Sequence, residues 1–320
     1  MKKSRKKEVF NENQKNRYLE FDKKYYKEML RLFKNLAPME EKLNKDVAKM
    51  SPNEYRDTIQ ALDITWKSTI GQTLSMVARY IDWAFSNGLT DTVLQAETIT
   101  AETIDNMSAI SRKTLENPES LQKMIDVTFT AGATNKKYRD SLLVWLMYFG
   151  VTFDEVCNIK KTDVDYERKK VITGLGKEYL LPDDVIYLCH RVSEMDCVEY
   201  MSSLRTMKLT DNDYLFRGVL GRQGNTTEPL IAVVARNYVS KIFQNYSEHT
   251  GEEYFIPPAN IRLSGLFYNV YTLEKGGQVI NKEFFQDYLK KIEFDESVTD
   301  YSARDYYLNY VDWKAAFKLI

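Results

Sequence analysis

The stretch Tyr138–Val156, YRDSLLVWLMYFGVTFDEV, decides how the chain is read. Its residues predict a strongly apolar helix over 138–149 that Gly150 ends, after which Thr152-Phe153-Asp154-Glu155 restarts a helix at once as a capping box. The apolar run from Leu142 to Val151 is about half of what a bilayer span requires, so it predicts a packed helix and no membrane crossing. Downstream, Lys170-Val171-Ile172-Thr173 and Glu178-Tyr179-Leu180-Leu181 flank Gly174-Leu175-Gly176, the pattern of a small β-hairpin, and Pro182 closes it. Helical patterns return at 183–200, 229–247, 258–273, 281–292 and 298–317.

Upstream, apolar residues at helical spacing (Tyr18, Phe21, Tyr25, Met29, Leu32, Phe33, Leu36) predict one amphipathic helix that Pro38 interrupts. Ser51-Pro52-Asn53-Glu54 is a capping box with proline at the first helical position, so a helix starts at Pro52. Asn87-Gly88 stops a later helix that contains Ile70, Leu74, Val77, Ile81 and Trp83, and two short helical patterns follow at 100–117 and 119–130. Gly132, Thr134 and Asn135 mark a linker. The expectation is a mainly α chain of two domains, 1–133 and 134–320, the second carrying a small β-hairpin or sheet.

Composition agrees with this division. The 320 residues suit about two domains, and 13 Gly with 7 Pro disfavour a loop-rich sandwich. The net charge of −1 is unevenly spread: residues 1–50 hold 15 Lys and Arg against 8 Asp and Glu. That basic arm, with the Lys2–Lys7 cluster at its tip, fits either an anionic partner such as DNA phosphate or a solvated helix face. Residues 8–20 supply no apolar region behind the cluster, so a signal peptide is not expected. Three cysteines (Cys157, Cys189, Cys197) and only two histidines give no zinc spacing and predict reduced core thiols of a cytoplasmic protein. No Gly-rich phosphate loop is present, and neither cofactor nor metal is expected.

The order of several segments resembles the tyrosine recombinase (phage integrase) family. Gly150-Val151-Thr152-Phe153-Asp154-Glu155-Val156 with Ile159-Lys160-Lys161-Thr162-Asp163 is similar to the family's first box, a Gly-Leu-Arg turn followed by Glu-Leu and Leu-x-x-x-Asp. Gly176-Lys177 stands where the family places a DNA-reaching lysine in a hairpin turn. Ala259-Asn260-Ile261-Arg262-Leu263-Ser264 is similar to the second box, usually His-x-Leu-Arg. Lys67-Ser68-Thr69-Ile70 with Tyr80, Ile81 and Trp83 resembles the helical core-binding domain, and the likeness spans about residues 52 to 312.

In that family a tyrosine attacks the scissile phosphodiester, two arginines hold the phosphate, a lysine protonates the leaving oxygen and a histidine assists. This chain departs from the pattern. Thr152 stands at the first arginine position and can neither carry charge nor donate bidentately. Ala259 stands at the histidine position. Loss of one charge-stabilising group costs about 100- to 1000-fold, so loss of several leaves negligible cleavage. Tyr301, Tyr306, Tyr307 and Tyr310 are candidate nucleophiles by residue type, but their helical spacing favours core packing, and no catalytic tyrosine is assigned.

The resemblance therefore implies a sequence-specific double-stranded DNA-binding protein without recombinase activity, acting as a transcriptional repressor that regulates phage lysogeny from an operator. Candidate DNA contacts are Lys67, Ser68, Thr69 and Arg79 in the first domain, and Lys160, Lys161, Lys177 and Arg262 in the second. Lys160 and Lys161 fit a solvated helix end nearly as well, and Arg262, the stronger candidate, has a structural ion pair as its alternative. The alternative is an active, divergent integrase in which Arg217, Arg222, Arg236 or Arg304 replaces the missing groups. A third reading is a helical scaffold with no DNA role. The apolar tip of the C-terminal helix, Trp313 to Ile320, fits either homodimer or higher homo-oligomer formation or packing within the chain.

Overall fold

The computed structural model describes residues 8–129, 135–200, 205–220, 229–251, 255–294 and 297–319, and among them helix dominates. By contacts the chain divides into two compact units, Met1–Ile110 with Val311–Ile320, and Ser111–Tyr310. Most of the expected linker near 133 and the Lys2–Lys7 cluster lie outside the described residues.

The first unit holds α1 (Glu12–Phe21), α2 (Tyr26–Leu43), α3 (Pro52–Gln60), α4 (Lys67–Ser86), α5 (Leu94–Thr98) and most of α6 (Met107–Lys113). The stripe expected as one helix from 18 to 36 is two helices, broken at Asp22 by a short 3-10 turn, Lys23–Tyr25. Pro38 does not interrupt the second of them. Its ring sits on the exposed side of α2 while Leu36, Ala37 and Glu40 stay buried, so packing carries the helix through the missing hydrogen bond. The capping box Ser51–Glu54 forms at the start of α3, and Asn87 caps α4 with Gly88 following at φ +67°.

A buried polar network pins α1 and α2 to the loop behind them. Lys15 and Glu40 are fully buried and paired at 2.5 and 2.6 Å, and the Glu40 carboxylate also accepts the Val47 N–H at 2.9 Å. Beside them the Tyr80 hydroxyl donates to Asp46 at 3.0 Å. Burial, only partly offset by Lys15, pushes the Glu40 carboxyl above its usual range.

The second unit is built around α8 (Lys136–Tyr148), with α7 (Pro118–Thr128) and α9 (Phe153–Asn158) on either side of it in sequence. From Arg139 to Tyr148 every residue of α8 is buried, so the apolar run is the unit's central helix. A three-stranded antiparallel sheet follows: β1 (Val164–Asp165), β2 (Lys170–Ile172) and β3 (Glu178–Leu180), with Val171 opposite Tyr179. Then come α10 (Asp183–Ser193), β4 (Cys197–Tyr200), β5 (Arg205–Lys208), α11 (Ala232–Thr250), α12 (Pro258–Lys275), α13 (Lys282–Lys291) and α14 (Asp300–Ala316), whose residues from Val311 onward belong to the first unit. The helix expected over 183–200 therefore ends at Ser193, and Cys197–Tyr200 pairs antiparallel with β5 as a second sheet. Cys-Val-Glu-Tyr has strand character that a helical period over so short a run cannot separate. Around α8 pack α9, α10, α11 and α12, and α7 packs on α11, which draws Leu121, Met124 and Ile125 into this unit's core.

The close approach of α12 to α8 depends on Gly265, where a β-carbon would overlap the Tyr148 carbonyl oxygen. At the end of α14 Trp313 is fully buried, and Asp312 accepts a hydrogen bond from Asn106 at 3.4 Å. Cys157 and Cys189 are buried free thiols, pushed up by burial to about 11 and about 12.

Two substitutions test this packing by thermal or urea unfolding of the full chain. Lys15→Met strands a buried carboxylate and is expected to cost about 3–5 kcal/mol, part of which Lys15→Met/Glu40→Met restores. A loss below about 1 kcal/mol would show that the pair is not needed. Gly265→Ala forces the two helices apart and is expected to cost about 1–3 kcal/mol. An unchanged midpoint would contradict the close contact.

Candidate functional site

Three of the sequence-predicted positions converge in the second unit around the turn after α8. Gly150 has φ +102°, a conformation that strains any residue with a β-carbon, and a β-carbon there would touch the rings of both Tyr179 and Phe294. Beyond it Thr152 caps α9: its hydroxyl accepts the Glu155 N–H at 3.2 Å, while the Glu155 carboxylate accepts the Thr152 N–H at 2.9 Å. Thr152 is thus a helix cap, its hydroxyl engaged by the main chain.

Lys177 reaches the same place from the hairpin. The turn is closed by Gly176 N–H to Thr173 carbonyl and Thr173 N–H to Lys177 carbonyl bonds of 2.7 and 2.9 Å, with Gly176 at φ +80°. The lysine ammonium stands 3.9 Å from Glu155 Oε1 and donates to the Glu293 carbonyl at 3.3 Å. Glu178 and Leu180 face out, which turns the intervening Tyr179 inward, and its hydroxyl donates to Glu155 at 3.3 Å. Burial, then the Glu155 charge, pushes that hydroxyl well above the usual tyrosine range, so it stays a neutral donor.

Arg262 is half-buried on α12, between buried Ile261 and half-buried Leu263. Its Nε donates to the Gly150 carbonyl at 2.8 Å and its Nη2 to the Phe294 carbonyl at 3.4 Å, and the guanidinium lies 4.4 Å over the Phe294 ring. Ala259, one turn earlier, is exposed. Glu155, Tyr179, Glu293 and Phe294 complete the cluster and were not among the predicted site residues. Glu155 was legible as a helix cap only, and nothing local in 293–294 signals a partner for two cations.

The remaining second-unit candidates are separate from this cluster or at its edge. Lys160 is exposed and Lys161 half-buried in a 3-10 turn after α9, whose main chain is held to Asp163 and Asp213. Tyr301 is exposed. Tyr306 stands edge-on to Phe294 with centroids 6.2 Å apart, and Tyr307 packs on Phe285. Tyr310 is buried and donates to Glu274 at 2.5 Å, an arrangement that pushes its hydroxyl strongly up. Among the arginines, Arg217 is buried and donates to the Met195 carbonyl, Arg236 lies over Phe153 at 5.4 Å, Arg304 is exposed, and Arg222 lies outside the described residues.

In the first unit, Lys67 is tied down by the Ala101 and Ile104 carbonyls at 2.9 and 2.6 Å. Ser68 is half-buried and Thr69 exposed, both in the first turn of α4. Arg79 lies 4.1 Å over the Tyr25 ring and 3.7 Å from Asp22. Among the described residues no group of three or more His, Cys, Asp or Glu side chains could hold a metal, and no helix is long and apolar enough to cross a membrane.

Residues 9–86 match a family model described as MrpR, N-terminal core-binding domain. Over most of its length the chain is also similar to solved recombinases and integrases. XerA recombinase is 14% identical, with 92% of each chain covered and a TM-score of 0.38. The Tn1549 transposon integrase in complex with transposon right end DNA is 13% identical, covering 92% of this chain and 93% of that one at a TM-score of 0.44. A lambda integrase dimer bound to a COC′ core site is 12% identical, at 92% and 94% coverage and a TM-score of 0.42. No curated protein matches.

Thr152→Ala removes the cap hydroxyl and is expected to lower stability by about 1 kcal/mol, whereas Thr152→Ser retains most of it. Equal losses for the two variants in urea unfolding would contradict the capping role.

Proposed function

We propose that this chain is a sequence-specific double-stranded DNA-binding regulator, a transcriptional repressor of the phage lysogeny type, built on a tyrosine-recombinase-like plan without strand cleavage. The match of residues 9–86 to a core-binding domain supports the DNA-binding part. The observation that carries the non-cleaving part is the state of the cluster around Gly150. The first-arginine position is a helix-capping threonine, and Lys177 and Arg262 are directed at oxygens of the chain itself. Phosphoryl transfer needs positive charge aimed at the phosphate, and this arrangement supplies little. Over the whole chain the sequence also resembles the lysogeny-maintaining master repressor of SPβ-type Bacillus phages, which makes a phage operator the proposed target.

DNA contact then falls to the exposed Thr69 and Lys160 and to the half-buried Ser68 and Lys161 beside them. Thr69 and Ser68 on α4 can read base edges, and Lys160 and Lys161 can hold phosphates. A second reading, a divergent integrase, is favoured by Arg236: it is exposed beside Phe153, the first residue of α9, where it could stand in for the missing arginine.

Capture of genome fragments by the purified full chain at two salt concentrations, followed by incubation with a nicked suicide duplex, tests this function. A discrete fragment retained more weakly at high salt, with no covalent adduct, is expected. A covalent adduct would establish the integrase reading, and failure to retain any duplex at low salt would remove the DNA role.

A further inference from the structure

Lys177 and Arg262 donate to the carbonyls of two consecutive residues, Glu293 and Phe294, so a single step of main chain lies across both cations. Glu155 faces Lys177 from another side, 3.9 Å from its ammonium, and is held there by the Thr152 N–H and the Tyr179 hydroxyl. The Gly150 carbonyl takes the Arg262 Nε–H at 2.8 Å. A lysine and an arginine sharing one small space suit the oxygens of a phosphate. Here oxygens of the chain itself stand against them, among them the buried Glu155 carboxylate and the Gly150, Glu293 and Phe294 carbonyls. The Lys177 and Glu155 side chains are 15% and 7% exposed, so solvent screens their attraction weakly.

The geometry points to Glu155 as an internal anion that occupies a phosphate-class site, with Glu293 and Phe294 closing over both cations, so that an external phosphate is kept out. The inference rests on the DNA-binding reading for its biological sense, but the chemistry can be measured without DNA. A fixed carboxylate beside Lys177 repels a second anion, and its removal leaves two cations and a neutral donor. Glutamine keeps the shape of Glu155 and still serves a capping box, so Glu155→Gln removes the charge while preserving the start of α9.

The test is calorimetric titration of inorganic phosphate into the full chain, its Glu155→Gln variant and the double variant Glu155→Gln/Lys177→Gln, with duplex DNA binding followed in parallel across salt. Glu155→Gln is expected to bind inorganic phosphate about tenfold more tightly than the parent, since a unit charge at this range outweighs such a change. The gain should vanish in the double variant. Phe294→Ala, which leaves Glu155, its cap and the 294 main-chain carbonyl in place, uncovers the face of the Arg262 guanidinium under the ring and is expected to raise phosphate affinity there, a second route to the same result. Unchanged phosphate affinity in both single variants, or a gain that survives loss of Lys177, would overturn the inference. If the parent binds duplex and neither variant gains phosphate, the inference fails and the DNA reading stands. If phosphate affinity rises and no form binds duplex, the inference stands and the DNA reading fails.

Discussion

The bond from Arg262 to the Gly150 carbonyl joins the start of α12 to the turn that follows the buried helix α8. Much of the second unit's cluster depends on that turn keeping its shape. Gly150 adopts it because no β-carbon opposes φ +102°, and the missing β-carbon leaves room for the rings of Tyr179 and Phe294. The turn delivers Thr152 as the cap of α9, and the cap fixes Glu155, on which Lys177 and Tyr179 converge. Gly265 lets α12 come close enough to α8 for Arg262 to reach the carbonyl.

On the proposed reading, this arrangement keeps the order of the motif and changes its chemistry. An arginine at position 152 would bring a long cation to the place where a short hydroxyl now closes a helix. With threonine there, Glu155 is left to face Lys177. Arg262 finds carbonyls and an aromatic face, partners that neutralise its cost of burial without an external ligand. The first unit solves a similar problem with Lys15 and Glu40, a buried pair satisfied by the Val47 N–H. In both places charge serves packing within the chain.

Elements with strong local signals were legible in the sequence. The capping boxes at Ser51 and Thr152, the α8 run, the Gly174–Gly176 hairpin and the stop at Asn87-Gly88 all follow from residue chemistry acting within a few positions. Features fixed by tertiary packing were not. Pro38 looks like a helix breaker until the burial of Leu36, Ala37 and Glu40 is known, and Cys197–Tyr200 becomes a strand through its partner Arg205–Lys208. At the site, Thr152, Lys177 and Arg262 were found from motif order, whereas Glu293 and Phe294 lie far along the chain with no pattern pointing back to them. Lys67 is expected as a DNA contact, yet the Ala101 and Ile104 carbonyls hold it. A single sequence does not show where a long side chain finds its acceptor.

The central claim is that Lys177 and Arg262 bind the protein itself and not DNA phosphate. Side-chain nitrogen NMR of Arg262, recorded while the parent protein is titrated with the duplex it retains, addresses this most directly. The account predicts an Nε–H signal that exchanges slowly with water and keeps its position throughout the titration. A signal that shifts in step with duplex binding would mean that phosphate displaces the Gly150 carbonyl, and would contradict the account.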